Sequence, residues 1–225
     1  MLLRIFSEGL LIVVSILLAL SADTWLNSLN QADQLDAQLT ALNRDFDTML
    51  VRVNDSNSAA SRAVSAGRTL LSHMQEGSKI EPELARELLW HLVFYEVFTP
   101  STGAYQSLIA SGNLELLENT RLKAALTDFF GAFEDVRASE KLLLETQVVF
   151  FASESFSALA GWHRMGRAGV PVASDFAISQ WSMSDEFMNS VAIYTVRQAD
   201  VLEDYQYLKT RIESIAAMIT PNSLN

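Results

Sequence analysis

The chain has no cysteine, only four prolines and nine glycines in 225 residues, and 16 lysines and arginines against 27 acidic side chains. Without cysteine there is no disulfide framework and no thiolate metal site. Scarce proline and glycine supply too few turn formers for many short strands, so the expected class is all-α. A formal net charge of −11, with no clustering of basic residues, excludes the cationic face that neutralises phosphates, so no nucleic-acid partner is expected. Gly-x-Ser-x-Gly, a Walker phosphate loop and a dinucleotide glycine fingerprint are all missing, which removes the commonest hydrolase, kinase and dehydrogenase readings.

What the chain does have begins near its N-terminus. Between Glu8 and Asp23 there is no charged residue, and Leu10, Leu11, Ile12, Val13, Val14, Ile16, Leu17, Leu18 and Leu20 dominate the run. That uncharged stretch is shorter than the roughly 20 residues a bilayer core requires. Crossing therefore takes residues 3–25, with Glu8 and Asp23 near opposite interfaces and Trp25 as an interfacial aromatic anchor. Arg4 precedes this span, and no lysine or arginine follows until Arg44. The positive-inside rule then places the N-terminus in the cytoplasm and the bulk of the chain outside it. A cleaved signal peptide is the competing reading, because Arg4 gives a small basic region and Ala19-Leu20-Ser21 a tolerable cleavage site. A buried helix of a water-soluble core is disfavoured, since the run has no polar face. The expected division is an anchor at 1–27, a helical domain at 28–220 and a tail at 221–225.

Beyond the span, Leu35, Leu39, Leu42, Phe46, Met49 and Val53 alternate steps of four and three, the seam of a helix packed on another helix. The polar patch Asn54-Asp55-Ser56-Asn57-Ser58 interrupts it. The phase is expected to resume at Ala60, Val64, Gly67, Leu71 and Met74, giving one helix to Gln75 unless the patch folds it back. Pro82 suits the first turn of a second helix at 83–98, apolar nearly all round and therefore central. A short helix is expected at 104–110, stopped at Gly112. Asn119 is a candidate cap for a long helix from Thr120 past Phe150, striped by Leu122, Leu126, Phe129, Phe133 and Val136. Gly161, Gly166, Gly169 and Pro171 mark an irregular connection. Ser184 caps a last helix with the longest seam: Phe187, Val191, Tyr194, Gln198, Val201, Tyr205, Leu208, Ile212, Ile215 and Ile219. Gln198 is its one polar seam position, a register device in this reading. Long rods with short breakers point to an antiparallel bundle.

Two blocks resemble a family of small, uncharacterised bacterial single-pass membrane proteins. The first is Glu8-x-x-Leu11-Ile12-Val13-Val14-x-Ile16-Leu17-Leu18-Ala19-Leu20-x-x-Asp23-x-Trp25. The second is Tyr105-x-x-Leu108-x-x-Ser111-Gly112-x-Leu114-x-x-Leu117-x-Asn119-x-x-Leu122. The resemblance implies a retained inner-membrane anchor and a helical periplasmic domain, and it supplies no catalytic residue or ligand. The chain departs from the family's usual Asn-Glu-Glu after the tryptophan, having Leu26-Asn27-Ser28 there.

Candidate chemistry is thin. Glu87 and His91 share a helix face and, with Glu83, supply part of a carboxylate and imidazole set, but di-metal bundles use a Glu-x-x-His pattern that is missing here. Arg164 and Arg167 beside Gly161 and Gly166 read as a loop between helices rather than an anion site. Phe129, Phe130, Phe150, Phe151 and Trp162 read as core, or as a partner surface if exposed. No histidine lies in the span, so a porphyrin there would find no imidazole. No cofactor, metal or catalytic residue is expected. The expected role is a non-catalytic accessory or scaffold subunit, held by lipid and packing its domain against a larger membrane complex, respiratory or photosynthetic, with self-association as the other partner reading. The alternative is a periplasmic ligand-binding, sensor-like bundle, which has few residues before the span to carry an output.

Overall fold

A computed structural model describes residues 2–78, 80–152 and 184–219, with the side chains of residues 2–10, 12, 13, 82, 151 and 152 outside the description. The described residues are helical throughout their regular structure, with no strand among them. The helices are α1 (Leu2–Glu76), α2 (Pro82–Val93), α3 (Gly103–Ala110), α4 (Thr120–Ala152) and α5 (Asp185–Ile219). At 1.5 Å per residue the 75 residues of α1 make a rod about 110 Å long.

The ends of the rods follow from local chemistry. Gly77 takes φ +63°, and the amides of Ser78 and Gly77 bond the carbonyls of His73 and Met74. This is the paired 6→1 and 5→2 closure that glycine permits after a helix. Gly112 ends α3 at φ +74°. Asn119 Oδ1 accepts the Leu122 N–H at 3.1 Å, and Ser184 Oγ accepts the Phe187 N–H at 3.1 Å, so both long C-terminal rods start on a side-chain cap.

Contacts between rods run in opposite sequence directions. Ser56 of α1 meets Tyr205 of α5 while Gly67 meets Thr195. On α4, Asp128 pairs with Arg211 and Phe150 stacks on Tyr194. The fourth side is filled by α2, the extended strap 94–102 and α3, which descend along α1 in that order. Phe46 against Phe129 (5.2 Å), Phe98 against Phe133 (5.8 Å) and Tyr105 on Phe130 (3.9 Å) join the layers through aromatic pairs.

Three expectations are corrected. The seam of α1 does not pause at the polar patch. It runs Leu39, Leu42, Phe46, Met49, Val53, Ser56, Ala60, Ala63, Gly67, Leu70 and Met74, all buried in unbroken steps of three and four. Ser56 keeps the register because a polar group, the Tyr205 hydroxyl, lies opposite it. The later seam therefore passes through Ala63 and Leu70, with Val64 a buried flank and Leu71 half-buried. The second helix ends at Val93, not 98. Its last carbonyls are taken by side chains of other rods, Leu92 by Gln198 and Val93 by Gln147, and that capping releases the strap from helical bonding. Finally, α2 is not central: Ala85, Leu89 and Leu92 are buried, but Leu84 and Trp90 face solvent.

Candidate functional site

The expected seam residues Leu39, Leu42, Phe46, Met49 and Val53 of α1 are buried, and Leu35 packs half-buried at its lower end. On α5, Phe187, Val191, Tyr194, Val201, Tyr205, Leu208, Ile212 and Ile215 are buried as well. The anchor residues behave differently. From residue 11 to residue 34 every described side chain of α1 is exposed. Leu11, Val14, Ile16, Leu17, Leu18, Leu20, Leu26 and Leu29 are among them, and Trp25 is 64% exposed. Leu10, Ile12 and Val13 lie among the side chains outside the description. The hydroxyls of Ser15, Ser21 and Thr24 fold back onto the carbonyls of Leu11, Leu17 and Leu20 at 2.7–2.8 Å. The helix thereby satisfies these three hydroxyl donors itself. Among the described residues no helix is long and apolar enough to cross a membrane. Much of the first half of the expected span, residues 3–10 with 12 and 13, has its side chains outside that description.

The second candidate is a buried polar cluster where the strap crosses the bundle. Glu140 on α4 is 5% exposed. Its Oε1 accepts the Phe98 N–H at 2.9 Å and the Tyr205 hydroxyl at 2.6 Å. The same hydroxyl lies 2.9 Å from the Glu96 carbonyl, and the Ser56 side chain of α1 lies beside it. No salt bridge joins Glu140 to a cation among the described residues; Arg137 acts on it only at longer range and pairs with Glu134 at 3.3 Å. Burial raises the Glu140 carboxyl above its ordinary 4.5, opposed by the Tyr205 and Phe98 hydrogen bonds and by Arg137. Burial likewise raises Tyr205, reinforced by Glu140, and raises Tyr194. Tyr95, on the strap, is raised by burial and then by the Glu140 charge.

Side chains at seven-residue steps hold the stretch from the end of α2 through the strap to α3 and the turn after it. On α1, Gln38 bonds Ser107, Ser111 and Asn113, Asp45 accepts from Ser101 and from the Ala104 N–H in the first turn of α3, and Arg52 donates to the Thr99 carbonyl. On α4 the pair is Glu140 and Gln147, and on α5 it is Gln198 and Tyr205. Of these, only Gln198 and Tyr205 stand out from the sequence pattern, as members of the α5 seam. The others were findable as polar residues recurring every seven positions in or beside an apolar seam, the place where a neighbouring rod must be non-helical. Tyr194 Oη and Gln198 Oε1, both fully buried, have no hydrogen-bond partner among the described residues.

Other candidates stay apart. His91 Nε2 lies 3.8 Å from Glu87 Oε1 on the outer face of α2, and Glu83 pairs with Arg86. Among the described residues no three potential ligands gather for a metal. His73 bonds Ser78 at 2.7 Å in the cap of α1. His163, Trp162, Gly161, Gly166, Arg164 and Arg167, with the Phe151 side chain, lie outside the described residues. An open groove of about 570 Å³ runs between α1 and α5, lined by Ser61, Ser65, Arg68, Thr69, Glu203 and Gln206. No family model, no curated protein and no solved structure matches the chain.

Proposed function

We propose that the chain is a non-catalytic, membrane-anchored accessory or scaffold subunit. In this reading an antiparallel helical bundle is held outside the inner membrane and packs against a larger membrane assembly. The observation that carries the reading is the lower end of α1: the run between Glu8 and Asp23 is uncharged and almost wholly apolar, its described side chains have no partner among the described residues, and the helix continues into a well-packed bundle. Leaving about ten large apolar side chains in water would cost on the order of 1.5–3 kcal/mol each, whereas lipid covers them without a protein partner. Leu3 to Trp25 would reach about 34 Å, enough for a hydrocarbon core of about 30 Å. Arg4 before the run, and no lysine or arginine from residue 5 to 43, favour a cytoplasmic N-terminus and a periplasmic bundle.

The test is fractionation of membranes carrying the full chain with a C-terminal tag. Retention through alkaline carbonate and high salt, release by mild detergent and protease access to the tag only from the periplasmic side are expected. Release by carbonate, or a tag reachable only from the cytosol, overturns the reading. Co-purification of a defined membrane complex in mild detergent separates an accessory role from a lone anchored protein.

The groove between α1 and α5 favours a second reading, a sensor-like bundle that binds a small polar ligand between Arg68 and Glu203. Thermal-shift measurements on the detergent-solubilised chain across small polar metabolites test it. A saturable rise in melting temperature lost in Arg68→Ala would support it, and no shift across the pool would remove it.

A further inference from the structure

Glu140 is the one carboxylate buried in the core of the described residues. It sits where all four sides of the bundle meet: α4 carries it, Tyr205 reaches it from α5, Ser56 backs Tyr205 from α1, and the strap gives it the Phe98 N–H. Its titratable and charged surroundings among the described residues are few. They are Tyr205 from α5, Tyr95 from the strap and Arg137 from its own helix. The groups that α1 aims at this side, Arg52 and Asp45, are engaged further along the strap, at the Thr99 carbonyl and at Ser101 with Ala104. A buried carboxylate facing two donors, with no cation bonded to it among the described residues, is dry only while the strap lies over it. Moving residues 94–102 away removes the Phe98 N–H and admits water.

We propose that Glu140 is a proton-binding site that latches the strap: taking up one proton at Glu140 favours the closed strap, and losing it favours an open one. The sign follows from solvation. With the strap closed, burial disfavours the charged form. With the strap open, the carboxyl returns toward its ordinary 4.5. The closed state therefore holds the proton more tightly, and opening releases it. Between pH 4.5 and the raised closed-state value, the opening constant rises by up to about tenfold per pH unit, the limit for one linked proton. Below and above that window it is flat. The latch needs no membrane, so it stands or falls separately from the anchored reading.

Hydrogen–deuterium exchange of the full chain in mild detergent, read by mass spectrometry from pH 4 to 8 and corrected for intrinsic exchange, tests this. The strap peptide is expected to lose protection with rising pH over one window, while peptides from the middle of α4 and α5 keep theirs. Glu140→Gln keeps the acceptor and removes the charge, so its strap protection is expected to be flat with pH. Tyr205→Phe removes a hydrogen bond that favours the carboxylate, so its window is expected at higher pH. A flat wild-type strap, the same slope in Glu140→Gln, an unmoved window in Tyr205→Phe, or equal slopes in strap and core would each overturn the latch. If Glu140→Gln does not fold, the Tyr205→Phe window and the strap-against-core comparison decide it.

Discussion

Gly67 is the point of closest approach between α1 and α5, and its substitution tests the packing most directly. A Cβ built there would lie 2.0 Å from Thr195 Oγ1, 2.8 Å from Cγ2 and 2.9 Å from Cβ. The hydroxyl cannot simply rotate aside, because it is held at 2.7 Å on the Val191 carbonyl, and the Thr195 Cβ belongs to the helix backbone frame. In an unpacked helix, Gly67→Ala would gain about 1 kcal/mol. Against that, overpacking a close-packed seam costs about 1–3 kcal/mol, and here the rods must part by nearly an ångström along shared layers. With the overpacking cost in the upper part of that range, about 2–3 kcal/mol, the net expectation is a loss of about 1–2 kcal/mol, or about 2–8 °C in melting temperature for a chain of this size. Thr195→Gly in the same background removes all three opposing atoms and should return stability to within about 1 kcal/mol of the starting protein, a coupling visible only in a double-mutant cycle. Denaturation followed by circular dichroism in mild detergent supplies the four stabilities. If Gly67→Ala is as stable as the parent, or if the two changes simply add, the rods are not in contact at this layer and the register described here is wrong.

Three further outcomes are expected. Glu140→Ala strips the Phe98 N–H of its acceptor and Tyr205 of its better one, and should cost about 2–4 kcal/mol, with Glu140→Gln costing less than half as much in the same denaturation assay. Tyr194 and Tyr205 are both raised above their ordinary 10.0 by burial, so stability from them is fully present below pH 10 and declines above it. There the unfolded chain ionises and the folded one does not, a loss of up to about 2.7 kcal/mol per pH unit for the pair, seen as alkaline unfolding that Tyr205→Phe makes shallower. Val14→Arg places a charge near the centre of the apolar run at about 3 kcal/mol on the insertion scale and should shift the chain out of the carbonate-resistant fraction; unchanged retention would mean that lipid does not cover this segment.

Periodicity carried most of the rods into view, and it failed where polar residues occupy apolar positions for a tertiary reason. The last helix was legible residue by residue because each seam position except Gln198 is apolar or aromatic. In α1 the patch from Asn54 to Ser58 read as an interruption, yet Ser56 is a seam residue whose partner, Tyr205, lies 149 positions away. No local pattern reveals that pairing. The end of α2 was missed for the same reason. Residues 94–98 are apolar except Glu96 and would extend a helix in isolation, but Gln198 and Gln147 take the carbonyls of Leu92 and Val93 and Glu140 takes the Phe98 N–H, all from other rods. Hydrophobicity decides which face a segment buries, while the identity of its hydrogen-bond partners decides whether it stays helical.

The same substitution of polar for apolar residues bears on specificity. A bundle sealed only by leucine and phenylalanine layers tolerates sliding by a heptad, because each layer resembles the next. Here Ser56, Glu140, Gln198 and Tyr205 sit in seams of three rods, and a slip of seven residues would bury their polar atoms against hydrocarbon, at about 1–3 kcal/mol for each group left unpaired. The interrupted fourth side supplies the partners that fix the register, because an extended strap exposes carbonyl and N–H groups that a helix keeps to itself. The strap is therefore what allows polar residues in the core, and those residues are what hold the long rods in one alignment. A version of the chain in which residues 94–102 were rebuilt as helix would orphan Glu140, Gln147 and Gln198 together, and by this reasoning it would lose its unique register before it lost its helical content.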